Sequence, residues 1–295
     1  MKTQNIIQLL GAAMLLFASC SKDSISGDSI FVDSKVELNE LDAYIKKNFT
    51  DPYNIGLLYK YVDTESDMNY NLSPANYESS IRLTRLFKYL GLEPYDELMG
   101  NTNFLRGYFP KMLNFIGSSA YNNNGTRVLG TAEGGRKITM YNVNGLTETT
   151  GQNPVFLNNE YFHTMHHEFA HILHQNKDYP RTFLTISGTD YIQDSWSTEY
   201  RTKLPQTDGF VSAYASKEAN EDFVETYSFY ITMTAAQWEA MSASGGAAGK
   251  AKIDAKMNIV RNYMLTTWKL DVDKLREIII RRQEKLPEFD QLNIK

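Results

Sequence analysis

All five histidines of the 295-residue chain, His163, His166, His167, His171 and His174, fall within twelve consecutive residues. Between them Phe162, Met165, Phe169, Ile172 and Leu173 recur at helical spacing, which predicts a helix over 159–175 with apolar faces to bury. Inside it, His167-Glu168-Phe169-Ala170-His171 reads H-E-x-x-H. Four residues advance a helix by about 400° and 6 Å, so the two imidazoles leave one face a turn apart. From there both reach one ion at about 2.0–2.1 Å. Glu168 stands beside that face, placed to take a proton from a metal-bound water without ligating the metal. Chance would supply roughly 0.01 such motifs in a chain with five histidines and 35 acidic residues. The competing reading is a buried helix whose histidines are satisfied otherwise, and adjacent imidazoles beside a glutamate are a costly core filling. His163 and His167 are also four apart, but Thr164 would then be the base, which it cannot be. His163 and His174 lie near the same stripe and either support the ligands from outside or line or flank the cleft, and His166 is expected to be structural or on the surface.

A catalytic zinc takes three protein ligands and keeps one position open. A third histidine ten residues after the first would fall on Lys177, and the glycine that accompanies it would be His174, so the metzincin pattern is excluded. With no histidine elsewhere, the third ligand is expected to be a carboxylate. Asp190, within Ser187-Gly-Thr-Asp-Tyr191, is a weak candidate. Glu221 and Glu225, a turn apart in the segment Tyr214–Glu225, are better ones. Glu221 is placed to bind the ion and Glu225 to accept the N–H of a ligating histidine, with Asn220 as a helix cap. Without the histidine motif the same acidic run would read as a solvated helix start favoured by the helix dipole.

The remaining elements read as α+β. Helical spacing covers 36–47; 55–62 looks like a strand; Ser73-Pro74 opens a helix that continues to Gly91. Strands are expected at 111–116, 127–131 and 137–143. A long loop region covers 176–213, and helices follow Glu218, with a soft turn at 242–249 and a last helix over 272–285. Trp196 shapes a subsite or serves as a buried anchor. At 42% hydrophobic and 22% charged the composition excludes a disordered chain. A net charge of −5 lacks the positive field that nucleic-acid binding needs. The one cysteine, Cys20, rules out an internal disulfide and zinc sites built from several thiolates.

Met1-Lys2 followed by the apolar run 6–17 suits a secretory leader and is too short to span a bilayer. Leu16-Phe17-Ala18-Ser19-Cys20 resembles a bacterial lipobox, which implies a signal peptide over 1–19 and lipidation of Cys20. An ordinary leader with an incidental cysteine is the alternative. Residues 20–34, rich in Ser, Asp and Gly, read as a tether to a catalytic domain at 35–295.

HHEFAH, with Glu221-Asp-Phe-Val-Glu225 fifty residues after His171, resembles the gluzincin peptidases, specifically the lethal-factor-type toxin proteases. Those carry a tyrosine seven residues before the ligand glutamate, here Tyr214. The resemblance implies His167, His171 and Glu221 as ligands of one zinc ion, Glu168 as base, and Tyr214 as the phenol that stabilises the oxyanion. Ordinary packing is the alternative for Tyr214. Over most of 35–295, segments such as NFTDPYNIGLLYKY and GFVSAYASKEANEDFVE are similar to zinc-binding metallopeptidase lipoproteins associated with outer-membrane nutrient import. That likeness implies a zincin-like domain with a small mixed sheet, an active-site helix and a mainly helical C-terminal part. It also implies a peptide or protein substrate, a lipid anchor, export to one face of the outer membrane, and partnership with an import complex. In gluzincins an edge strand binds the substrate backbone, and 127–131 or 137–143 is expected to supply it. Two other functions stay open: a metal-containing binding accessory of an importer, and a zinc amidohydrolase for non-peptide substrates.

Overall fold

The computed structural model describes residues 37–295 apart from Asn124 and Gly134. The leader, Cys20 and the tether expected at 1–34 lie outside the described residues. Residues Leu38–Lys295 form one compact unit. Its strands are β1 (Gly56–Leu58), β2 (Met112–Phe115), β3 (Ala120–Tyr121), β4 (Arg127–Val128), β5 (Gly130–Glu133) and β6 (Lys137–Met140). Four of them make a mixed sheet in the order β1-β2-β6-β5, while β3 and β4 form a separate antiparallel pair. β1, β2 and β6 run parallel, and β5 returns antiparallel to β6. All four residues of β6 are buried, as befits an inner strand covered on both faces. β5 is an edge.

The helices used below are α1 (Glu40–Ile45), α2 (Tyr77–Leu86), α3 (Glu93–Met99), α4 (Asn103–Tyr108), α5 (His163–Asn176), α6 (Ala219–Thr232), α7 (Ala235–Ala243), α8 (Gly246–Trp268) and α9 (Val272–Glu284). The class is α+β, with helix predominating. Met165, Phe169 and Leu173 on α5 are fully buried in one core with Phe87, Phe109 and Phe223. α5 packs on one side against α6 and on the other against β5. A buried hydrogen-bonded chain braces it from behind: Tyr95 Oη on α3 is 2.8 Å from His166 Nδ1 and 2.9 Å from Tyr227 Oη on α6. His166 is therefore structural, and burial pushes its imidazole down to about 3, so it stays neutral.

Several boundaries differ from the sequence reading. The helix expected from Ser73-Pro74 starts at Tyr77, because Pro74 pairs with Ile116 and its carbonyl accepts the Asn144 side-chain N–H at 3.0 Å. Gly91 does not end that helical run, which widens over Phe87–Leu92 and continues into α3. The glycine is instead a close contact, since a Cβ there would sit 2.8 Å from the Met165 sulfur of α5. The strand expected at 55–62 is confined to Gly56–Leu58, which pair with Met112–Asn114 of β2. Residues 127–131 divide at Leu129 into β4 and β5, which pair with different partners. The 137–143 stretch leaves the sheet after Met140, where Asn142 takes a left-handed conformation at φ 59°. The region 176–213 carries short helical pieces, among them Thr182–Ser187 and Trp196–Glu199. Helices α3 and α4 escaped the reading, although Pro94 in the first turn and Gly100 at φ 72° mark the ends of α3.

Candidate metal centre

α5 presents His167 and His171 toward the first turns of α6, and the two helices bring three donor atoms together. His167 Nε2 and His171 Nε2 are 3.2 Å apart. Glu221 Oε2 lies 3.2 Å from the first and 3.1 Å from the second. Protons cannot satisfy this triangle, because each ring N–H points at one acceptor only. A single cation can: ligands at about 2.0–2.1 Å around a tetrahedral ion stand about 3.3 Å apart. The residues present therefore fit a zinc ion.

The outer ring nitrogens are held in the sense this requires. His167 Nδ1 is 2.7 Å from Glu225 Oε1, so its N–H donates there and Nε2 is the nitrogen left to bind an ion in exchange for a proton. Glu225 Oε1 also receives His163 Nε2 at 2.8 Å, and Oε2 accepts the Ser212 hydroxyl at 2.5 Å. His171 Nδ1 lies 3.0 Å from His174 Nε2. His163 thus touches Glu225, the partner of His167, and His174 touches His171 directly. Their spacing, four before His167 and three after His171, was the available signal. No sequence pattern marks Ser212.

Electrostatics point the same way. Burial opposes a charged His167, yet Glu221 and Glu225 outweigh it and raise the imidazole to about 10. Both carboxylates are buried, which works against their ionisation, yet the facing histidines hold them well below the usual carboxylate range. The site is built around positive charge. Glu168 is half-buried beside the triangle and has no hydrogen-bond partner among the described residues. Burial raises its pKa, against the pull of His167 and His171, so it is a stronger base than an exposed glutamate.

Tyr214 donates to Glu221 Oε1 at 2.8 Å, and Lys217 Nζ reaches the same oxygen at 3.2 Å. Burial and then the Glu221 charge push the phenol above its ordinary value, which keeps the donor proton in place. Trp196 sets its edge against the Tyr214 ring, with centroids 5.1 Å apart, and is only partly buried. Asp190 is elsewhere, paired with Lys252 at 2.8 Å. Asn220 lies inside the first turn of α6 and accepts from Tyr179 at 2.8 Å; Glu218, in extended conformation, holds the cap position.

A family model described as "Putative zinc-binding metallo-peptidase" matches residues 34–273. This chain belongs to that family. Among solved structures, a crystal structure of "a putative zinc-binding metallo-peptidase from Bacteroides caccae ATCC 43185" is 39% identical, with a TM-score of 0.76. The match covers 90% of this chain and all of that one. No curated protein matches. Family membership and this neighbour support zinc as the ion and peptide hydrolysis as the general activity.

Proposed function

We propose that the protein is a gluzincin-type peptidase in which His167, His171 and Glu221 hold one zinc ion and Glu168 is the general base. The observation that carries this is the three-donor triangle with a carboxylate beside it that has no hydrogen-bond partner among the described residues. A zinc ion held there supplies Lewis acidity and lowers the pKa of water toward neutrality. Glu168 takes the proton of the attacking water and delivers it to the departing nitrogen. The C–O bond forms first, giving a tetrahedral oxyanion, and the C–N bond then breaks as its nitrogen takes the proton, leaving a carboxylic acid and an amine. Tyr214 turns its phenol from Glu221 Oε1 to the oxyanion, and Lys217 stays to hold the vacated oxygen. Glu225, steadied by Ser212 and His163, keeps His167 in the tautomer that leaves Nε2 unprotonated. β5 offers its outer edge to the substrate backbone by strand addition. Of the two stretches expected to do so, 137–143 is unavailable because β6 lies between β2 and β5. Chelation is expected to abolish peptide hydrolysis while far-ultraviolet circular dichroism keeps its helical signal, and stoichiometric zinc to restore it. Unfolding on chelation, with no hydrolysis before it, would instead indicate a metal-stabilised binding accessory.

The leader supports a second part of the proposal: Cys20 is lipidated and tethers the domain at the outer membrane, within reach of an import complex. Fatty-acid labelling of the full chain is expected to mark the protein and to vanish in Cys20→Ser, with the variant leaving the membrane fraction. A Cys20→Ser chain that keeps its label would sink the idea.

A further inference from the structure

Glu221 divides its two oxygens between different partners. Oε2 faces the imidazoles, 3.2 Å from His167 Nε2 and 3.1 Å from His171 Nε2. Oε1 takes two other donors, the Tyr214 hydroxyl at 2.8 Å and the Lys217 ammonium at 3.2 Å. Lys217 Nζ also lies 3.4 Å from the Tyr214 oxygen, so tyrosine, lysine and carboxylate close into a second triangle behind the first. Two recesses, of about 930 and 520 Å³, meet beside Glu168 and Tyr214, and Lys217 lines neither of them. It is not placed to hold substrate.

The backbone sets the position of this lysine. Lys217 follows the short helical turn Tyr214–Ser216, with its N–H on the Tyr214 carbonyl at 3.0 Å. Its own carbonyl accepts from Gln193 at 3.1 Å, and Ile192 donates to the Ser216 carbonyl at 2.9 Å. Glu218 is extended, so Lys217 stands outside α6 and reaches Glu221 across the helix cap. An exposed lysine–glutamate pair four apart on a helix contributes little. Here the chain is clasped on both sides of the lysine, and the carboxylate side chain is only 9% exposed.

A carboxylate binds a cation through one oxygen or through two. Two would crowd the position that a catalytic zinc keeps open. Donors on Oε1 prevent this, and one of the two is Tyr214, whose phenol leaves for the oxyanion during turnover. We propose, resting on the peptidase reading above, that Lys217 is a positioning residue that keeps Glu221 to a single donor oxygen, Oε2, while Tyr214 is engaged elsewhere. A cation behind a ligand carboxylate also weakens the hold on the ion by like-charge repulsion. Its removal is therefore expected to tighten metal binding while slowing the reaction, the reverse of what loss of a structural prop would do.

The first measurement loads the protein with cobalt(II), whose visible absorption weakens as its coordination number rises. Tyr214→Phe alone should keep the parent's absorption, since Lys217 still holds Oε1. Tyr214→Phe combined with Lys217→Met should lose about half of it. The second measurement follows peptide hydrolysis and zinc release to a chelator in Lys217→Met. Turnover is expected to fall by about 10–100-fold while zinc leaves more slowly than from the parent, and Lys217→Arg should bring both back toward parental values. Faster zinc release in Lys217→Met, unchanged turnover, or a parent-like spectrum in the double variant overturns this inference and leaves the peptidase reading standing. Absence of hydrolysis by the zinc-loaded parent overturns that reading instead, and the cobalt spectra then decide the role of Lys217 without it.

Discussion

Glu168→Gln is expected to retain one zinc ion per chain and to lose about 10²–10⁴-fold in turnover. The argument is one of isolation. Glu168 is outside the donor triangle and has no hydrogen-bond partner among the described residues, so an isosteric amide breaks no structural contact. It lines both recesses, where a peptide carbonyl would lie between them. Gln removes the proton acceptor and also relieves the cost of burying a charge, so stability should hold or rise slightly. Zinc measured by mass spectrometry alongside hydrolysis rates across a broad peptide panel separates the two properties. Equal rates for variant and parent would remove Glu168 from the chemistry.

Lys256→Met should lower folding stability by about 3–5 kcal/mol. Lys256 Nζ on α8 and Asp222 Oδ2 on α6 are 2.6 Å apart, and both side chains are fully buried. Lys256 also donates to the Gly209 carbonyl at 2.8 Å, and the Tyr191 hydroxyl donates to Asp222 at 2.9 Å. Burial pushes Asp222 up to about 6 and pulls Lys256 down, each against the other's attraction, so each charge is tolerated chiefly because of its neighbour. Removing the lysine leaves a buried carboxylate with one donor. Replacing both, as Lys256→Met with Asp222→Leu, should recover much of the loss. Urea midpoints at unchanged m-values read these differences. A single variant within 1 kcal/mol of the parent would show that water reaches the pair. Because Asp222 adjoins Glu221, and Gly209 leads into Ser212 and Tyr214, the single variant should also weaken zinc binding.

How much of this was legible depends on what kind of physics places each group. The pair His167 and His171 follows from helix geometry alone, since a spacing of four dictates a shared face. Glu221 lies 50 residues beyond His171, and no local rule joins them; only donor chemistry and a likeness in motif pointed to it. Asp222 sits in the same acidic turn and reads as solvated, yet α8 buries it completely. Which of two adjacent acidic residues meets the histidines and which meets a lysine is decided by packing between distant elements. The same holds for His174, whose ring is turned onto His171 by the core around Tyr179 and Phe223. Where the reading erred on boundaries, side chains overrode local propensity: Asn144 captured the Pro74 carbonyl, and Met165 occupied the space beside Gly91.

Gly130 begins the strand that roofs α5. A Cβ there would stand 2.9 Å from the Thr139 carbonyl oxygen and 2.7 Å from the Thr164 methyl. The gap between the roof and the imidazoles below is thus calibrated by one missing carbon atom. Alanine at 130 would act as a shim, lifting the backbone template away from the donors without altering any of them.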